Sequence, residues 1–135
     1  MTGPEEPAAE PAAPTDYAAM CLETEGGRAV RDLLDLVGDK WSLLIIGTLS
    51  SGRLRFGELL RSIPGASQRM LTLKLRGLER DGLVSRTVHA EVPPRVEYDL
   101  TAMGRTLIGP AVALATWAMD HEAETAAARQ AFDQR

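Results

Sequence analysis

Ser67, Gln68, Arg69, Thr72 and Arg76 lie within one span of ten residues, and their side chains have the chemistry that reads a nucleic acid. Arg is the usual bidentate partner of the guanine major-groove edge, Gln suits adenine, and small hydroxyls serve base edges or phosphates. At the 3.6-residue helical period, Arg69, Thr72, Arg76 and Arg80 fall on one face. Leu71, Leu75 and Leu78 fall on the other, with Met70 at its margin and Lys74 leaning toward the apolar side. One side of this helix is made for a core and the other for a partner. The Ser67 hydroxyl and the first free amides of the helix form an end suited to a phosphate.

The elements around this helix must hold it outward. Phe56, Leu59, Leu60 and Ile63 form a shorter apolar stripe just upstream, and Pro64-Gly65-Ala66-Ser67 reads as a turn ending in a Ser N-cap. Two short amphipathic helices joined by a tight turn, the second cationic outward, read as a helix-turn-helix whose recognition helix begins near Ser67. Arg53 and Arg55 precede the first of the two helices, where they serve either as contacts to a phosphate backbone or as solvated charges.

After Gly82 the period changes from helical to alternating. Leu83 to His89 is rich in β-branched residues, and Arg95 to Leu100 alternates with Val96, Tyr98 and Leu100 inward. These read as two antiparallel strands with a projecting tip, because Pro93 and Pro94 lack backbone donors and cannot extend a sheet. His89 and Arg95 flank that tip and suit a phosphate or a groove edge. Arg86 is expected opposite Glu97, which would make it structural. A hairpin directly after a recognition helix is the wing of a winged helix.

On the N-terminal side, Val30, Leu33, Leu34 and Val37 form an amphipathic helix closed by Gly38. Asp39 then caps a more apolar helix, Lys40 to Leu49, expected at the centre of the core. On the C-terminal side, Thr101 caps a helical region, and Pro110 starts or kinks a longer segment reaching about Ala128. Leu107, Ala111, Leu114 and Ala118, with Ile108, Trp117 and Met119 beside them, make a stripe lined by small residues. The stripe is either packing for the chain's own first helix or, as the expectation favoured here, a homodimer interface that gives a short recognition helix a second set of contacts.

Composition sets outer bounds. The 135 residues carry a formal net charge of −4, but residues 53–105 hold ten Lys/Arg against six Asp/Glu, a local balance of +4. Phosphate contacts are made by a patch, so the local sign is the informative one. Residues 1–20 are rich in Pro, Ala and Glu and are expected to be a disordered acidic tail. The single Cys excludes an intrachain disulfide, and no secretory signal or apolar run of membrane-spanning length is evident, which points to a soluble cytoplasmic protein without a membrane partner. No nucleophile-base set, phosphate-binding loop or zinc-ligand spacing is present, so no catalytic residue, metal ligand or cofactor is expected.

The strings Gly38-Asp39-Lys40-Trp41, Arg55-Phe56-Gly57-Glu58-Leu59, Ile63-Pro64-Gly65, Ser67-Gln68-Arg69-Met70-Leu71-Thr72, Asp81-Gly82-Leu83-Val84 and Glu91-Val92-Pro93-Pro94-Arg95-Val96-Glu97-Tyr98, in that order, resemble the HxlR family of bacterial winged-helix transcription regulators over about residues 30–120. The resemblance implies a dimeric, MarR-like protein that binds operator DNA as a repressor or an activator, with terminal helices packing across the dimer. Several members of that family sense electrophiles or oxidants through a cysteine ahead of the first helix, roughly where Cys21 lies. Here the chain departs from the pattern. Cys21 stands seventeen residues before Gly38, Leu22 replaces a common Pro, and Glu23 and Glu25 disfavour a reactive thiolate.

The expectation is therefore an α+β, mainly α protein: a tail over 1–20, a winged helix-turn-helix domain over 21–128 with a two-stranded wing and N- and C-terminal dimerisation helices, and a tail over 129–135. Double-stranded operator DNA is the expected partner, contacted by Ser67, Gln68, Arg69, Thr72, Arg76, Arg55, His89 and Arg95. Leu107, Ala111, Leu114, Trp117 and Ala118 are expected at a homodimer interface, and Cys21 or a small-molecule inducer is the expected switch. The rival reading is a winged helix that contacts only proteins.

Overall fold

The computed structural model describes Gly3 and residues 25–135, so Cys21 and nearly all of the expected tail lie outside the described residues. The chain divides into two units between Leu36 and Val37. Helix α1 (Glu25–Val37), except its last residue, makes up the described part of the first apart from Gly3. In the second, α2 (Lys40–Leu49) begins where the Asp39 carboxylate accepts the Trp41 N–H at 3.0 Å. That satisfies one of the orphan donors of the first turn. Ile45, Ile46 and Leu49 of α2 are fully buried, as the sequence leads one to expect of the core's central helix.

A two-residue strand, β1 (Leu54–Arg55), leads into α3 (Phe56–Ser62), whose first turn is closed by the Arg55 N–H donating to Glu58 Oε1 at 3.1 Å. The turn after α3 is hydrogen-bonded from Ala66 N–H to the Ile63 carbonyl at 3.2 Å, with Gly65 at φ +82°. Pro at the first central position and a left-handed Gly at the second are what a type II turn demands. Ser67 then caps α4 (Gln68–Arg80), its Oγ accepting the Met70 N–H at 3.1 Å. The helix ends in a Schellman motif: Leu83 N–H donates to the Leu78 carbonyl, Gly82 N–H to that of Glu79, and Gly82 takes φ +77°.

The wing is built from β2 (Val84–His89) and β3 (Arg95–Leu100), antiparallel with His89 opposite Arg95 and Val84 opposite Leu100. The sheet has a third strand that the sequence reading lacked, because β1 pairs with β3 (Leu54 opposite Tyr98) and the order is β1-β3-β2. Two residues carry no periodicity, so β1 has no sequence signal of its own. The register also corrects the expected Arg86–Glu97 pair: Arg86 stands opposite Tyr98, and Glu97 opposite Thr87. Arg86 therefore shares the face of Val96, Tyr98 and Leu100.

Helix α5 (Ala102–Thr106) follows Thr101, whose hydroxyl donates to the Gly82 carbonyl at 2.6 Å and accepts the Gly104 N–H at 3.0 Å. Leu107 joins α5 to α6 (Ile108–Asp120), and α7 (Glu122–Asp133) completes the chain. The expected single segment to Ala128 is broken at His121, whose ring stacks on Trp117 with centroids 4.3 Å apart. Residues 129–133, expected as tail, are helical. The core of this unit gathers Leu59 of α3, Ile63 at its end, and Leu71, Leu75 and Leu78 of α4 with the buried residues of α2, closed by Leu83 and by Val84 and Leu100 from the sheet.

Gly104 is buried, and a Cβ added to it would stand 2.0 Å from the Leu83 carbonyl oxygen, a backbone atom with no freedom to retreat. Gly104→Ala is expected to destabilise the fold by about 1–3 kcal/mol, the usual cost of overpacking, and to lower the urea midpoint correspondingly. Unchanged stability would show that α5 is not wedged against Leu83.

Candidate nucleic-acid interface

The buried leucines of α4 leave its opposite face to solvent. Gln68, Arg69, Thr72, Arg76 and Arg80 are all exposed, and neither Arg69 nor Arg76 forms an ion pair among the described residues. The structure thus brings the five sequence-predicted residues Ser67, Gln68, Arg69, Thr72 and Arg76 onto one helix with their side chains outward. Two of them are partly committed. Ser67 Oγ accepts from the Met70 amide, which leaves its own proton free, and the Thr72 hydroxyl donates to the Gln68 carbonyl at 2.8 Å, which leaves it only acceptor lone pairs and a methyl.

The axis of α4 is fixed at its inner side by an ion pair. The Lys74 ammonium meets the Asp39 carboxylate, the same carboxylate that caps α2. The Lys74 hydrogen bond, aided by the Trp41 amide, outweighs partial burial and holds the Asp39 carboxyl below its ordinary value of 3.8. One acid therefore pins the start of the core helix to the middle of the recognition helix. It also withdraws Lys74 from the outward charge.

The wing is arranged differently from α4. Glu97, with its side chain only 14% exposed, lies 3.0 Å from Arg95 Nε, 3.3 Å from His89 Nε2 and 3.5 Å from Arg53 Nε. The first two nitrogens lie within ion-pair distance of Oε1 without the alignment of a hydrogen bond. Arg95 also approaches Glu91 at 3.4 Å. The two residues expected at the wing, His89 and Arg95, thus share one carboxylate, and Arg53 joins them. Arg55 stays exposed at the edge of the sheet. No periodic pattern identifies Glu97 as a hub; only the register, which sets Arg95, Glu97 and His89 on one face, does so.

Of the five residues expected at a dimer interface, Leu114 and Trp117 are each 60% exposed and Ala118 is exposed, whereas Leu107 and Ala111 are half-buried. Ile108 and Ala111 turn toward α2 and, with Leu43, Leu44, Val112, Ala115 and the edge of Leu114, line a largely apolar groove between α2 and α6 of about 590 Å³. Val112, 58% exposed, and Ala115 were not singled out in the sequence, because α6 is apolar nearly all round and no single stripe stands out. Sequence reasoning also passed over Leu73, which is 59% exposed on the outward face of α4.

The HxlR-like helix-turn-helix family description matches residues 36–126. The chain is 46% identical over 87 residues to the HTH-type transcriptional regulator sll1512 of Synechocystis sp., a match covering 64% of this chain and 64% of that relative. Among solved structures it is similar to the transcriptional regulator ytfH from Salmonella typhimurium, at TM-score 0.69 and 37% identity over 75% of this chain and 90% of that one. It is also similar to the redox regulator HypR in its oxidized form, at TM-score 0.62 and 43% identity over 68% of this chain and 95% of that one.

The Asp39–Lys74 pair predicts a pH dependence. A carboxyl whose folded value is depressed contributes stability that is fully present above its unfolded value near 4 and is lost as pH falls through the lower folded one. Asp39→Asn keeps a capping oxygen but loses the charge, so its stability should fall less between about pH 5 and pH 2 than that of the parent. Urea unfolding across this range measures the difference, and identical acid limbs would show that the pair carries no stability.

Proposed function

This chain belongs to the HxlR-like helix-turn-helix family, and from that premise we propose that it is a transcriptional regulator that binds operator DNA as a homodimer. The observation that carries the reading is the pair of exposed arginines, Arg69 and Arg76, with no ion-pair partner among the described residues, on a helix whose other face is the centre of the core. In the major groove Arg76 and Arg69 offer bidentate donors to guanine, and Gln68 offers the complementary pair to adenine. The Ser67 proton and the first amides of α4 meet a phosphate, while Arg55 reaches the backbone beside it. Arg95 and His89 add flanking contacts at the wing, weakened by the Glu97 carboxylate they share.

On this reading, contact with the second subunit is assigned to α6. Leu114, Trp117 and Ala118, three and four residues apart, form an exposed apolar face on one helix. Pairing that face about a two-fold axis, together with Leu107 and Ala111 at its inner margin, would serve operator binding if it brought the two copies of α4 about 34 Å apart, one turn of the duplex.

A second reading concerns the switch. The similarity to a protein titled a redox regulator, and the presence of Cys21, favour modification of that thiol as the signal that changes operator affinity. A small-molecule inducer seated between α2 and α6 is the alternative signal. Footprinting with and without alkylated Cys21 separates them, since only the thiol switch responds to alkylation.

Binding to a footprinted duplex should weaken steeply with salt, with a slope of log affinity against log salt of about −5 or steeper if six or more phosphates are neutralised. Arg76→Ala should cost about 1–3 kcal/mol on the preferred site and little on random DNA if it reads a base, whereas equal losses on both make it a backbone contact. A flat salt response would favour the protein-contact reading of the fold. Trp117→Glu should convert the dimer to a monomer by analytical ultracentrifugation with the fold intact, and weaken binding to paired half-sites more than to one half-site. Persistence of the dimer would move the interface elsewhere.

A further inference from the structure

Leu73 is the apolar exception on the outward side of α4. It stands four residues after Arg69 and three before Arg76, so the two guanidinium groups bracket it along one face. The core does not need it, because Leu71, Leu75 and Leu78 already fill the inner side of the helix and are essentially fully buried. With Gln68, Arg69 and Thr72 it lines a single open depression on the protein surface. The Thr72 hydroxyl is turned back onto the Gln68 carbonyl, so Thr72 brings a methyl and acceptor lone pairs to this place and no free donor.

The bracketing charges state what this apolar patch can meet. A protein partner would have to leave two arginines and a glutamine beside its apolar contact, whereas a duplex offers phosphates and guanine edges to Arg69 and Arg76 on either side. Within the major groove only one group is apolar, the C5-methyl of thymine. We propose that Leu73, assisted by the Thr72 methyl, is a specificity residue that recognises a thymine methyl at one position of each half-site, between the contacts made by Arg69 and Arg76. The inference rests on the operator-binding reading given above and names the base that reading leaves open.

The test exchanges a single methyl. A duplex selected from a random-sequence library by the full-length protein is prepared with each thymine of the footprint replaced in turn by deoxyuridine, which removes the C5-methyl and alters no hydrogen-bonding group. Burying one such group is worth about 0.8 kcal/mol, or roughly fourfold in affinity, so one position per half-site should lose about fourfold, and about 16-fold when both half-sites are changed. Leu73→Ala should abolish that discrimination while leaving the thermal midpoint and the salt slope unchanged, since the side chain is exposed and Ala favours a helix. Leu73→Met, which keeps an apolar side chain of similar reach, should retain it. A footprint without any thymine preference, or a preference that survives in Leu73→Ala, overturns the assignment of Leu73 and leaves operator binding standing. Failure of the library to yield any bound duplex overturns both.

Discussion

Where the arginines of α4 point is decided by the leucines behind them. Leu71, Leu75 and Leu78 occupy the core against Ile45, Ile46 and Leu49, all essentially fully buried. A helix held by three residues on one face has no rotational freedom left for the other, since any turn about its axis would carry leucine into water at about 1.5–3 kcal/mol per side chain. The reading face is thus a by-product of the packing face. The caps add precision along the axis: Ser67 fixes the start, and the Schellman motif at Gly82 fixes the end. Between them the position of every outward residue follows from the helical pitch alone.

Two carboxylates then edit the charge that the helix and wing present. Asp39 takes Lys74 out of play and uses it to tie α2 to α4. Glu97 gathers Arg53, His89 and Arg95 under one partly buried acid. A bare count of +4 over residues 53–105 suggests a diffuse cationic surface, but much of that charge is matched locally. Of the six arginines of this stretch left without a described ion pair, three, Arg69, Arg76 and Arg80, are exposed together on α4. Concentrating the field in this way favours a groove-bound orientation over many loosely equivalent ones.

Much of this was legible in the sequence, and the reasons differ by element. The α4 core face was readable because Leu71, Leu75 and Leu78 repeat at helical spacing, and its start and end because Ser67 and Gly82 are strong local signals. Asp39 announced itself as a cap, but its partnership with Lys74 spans 35 positions of chain and has no local signature. The strand β1 was invisible because two residues cannot show alternation, and the register around Glu97 was missed separately, because a one-residue offset between β2 and β3 leaves each strand's own pattern unchanged. Leu73 was passed over because an apolar residue on a face read as polar carries no signal of its own, and its 59% exposure is what marks it out. On α6 the difficulty was an excess of apolar residues, which let the inner and outer faces blur.

Leu83 is a small junction with large leverage. Its amide closes α4, its carbonyl accepts the Thr101 N–H at 3.1 Å as the wing returns, and Gly104 of α5 sits against that same carbonyl. Three elements thus converge on one residue with no slack between them. In a dimer assembled through α6, the tilt of the subunits and the pitch of the reading helices would be geared together rather than set independently. Such a gear makes the spacing and the winding of a bound duplex into a single mechanical quantity, and a twist of a few degrees at the subunit seam would be felt at the far end of α4 as a change in depth of insertion.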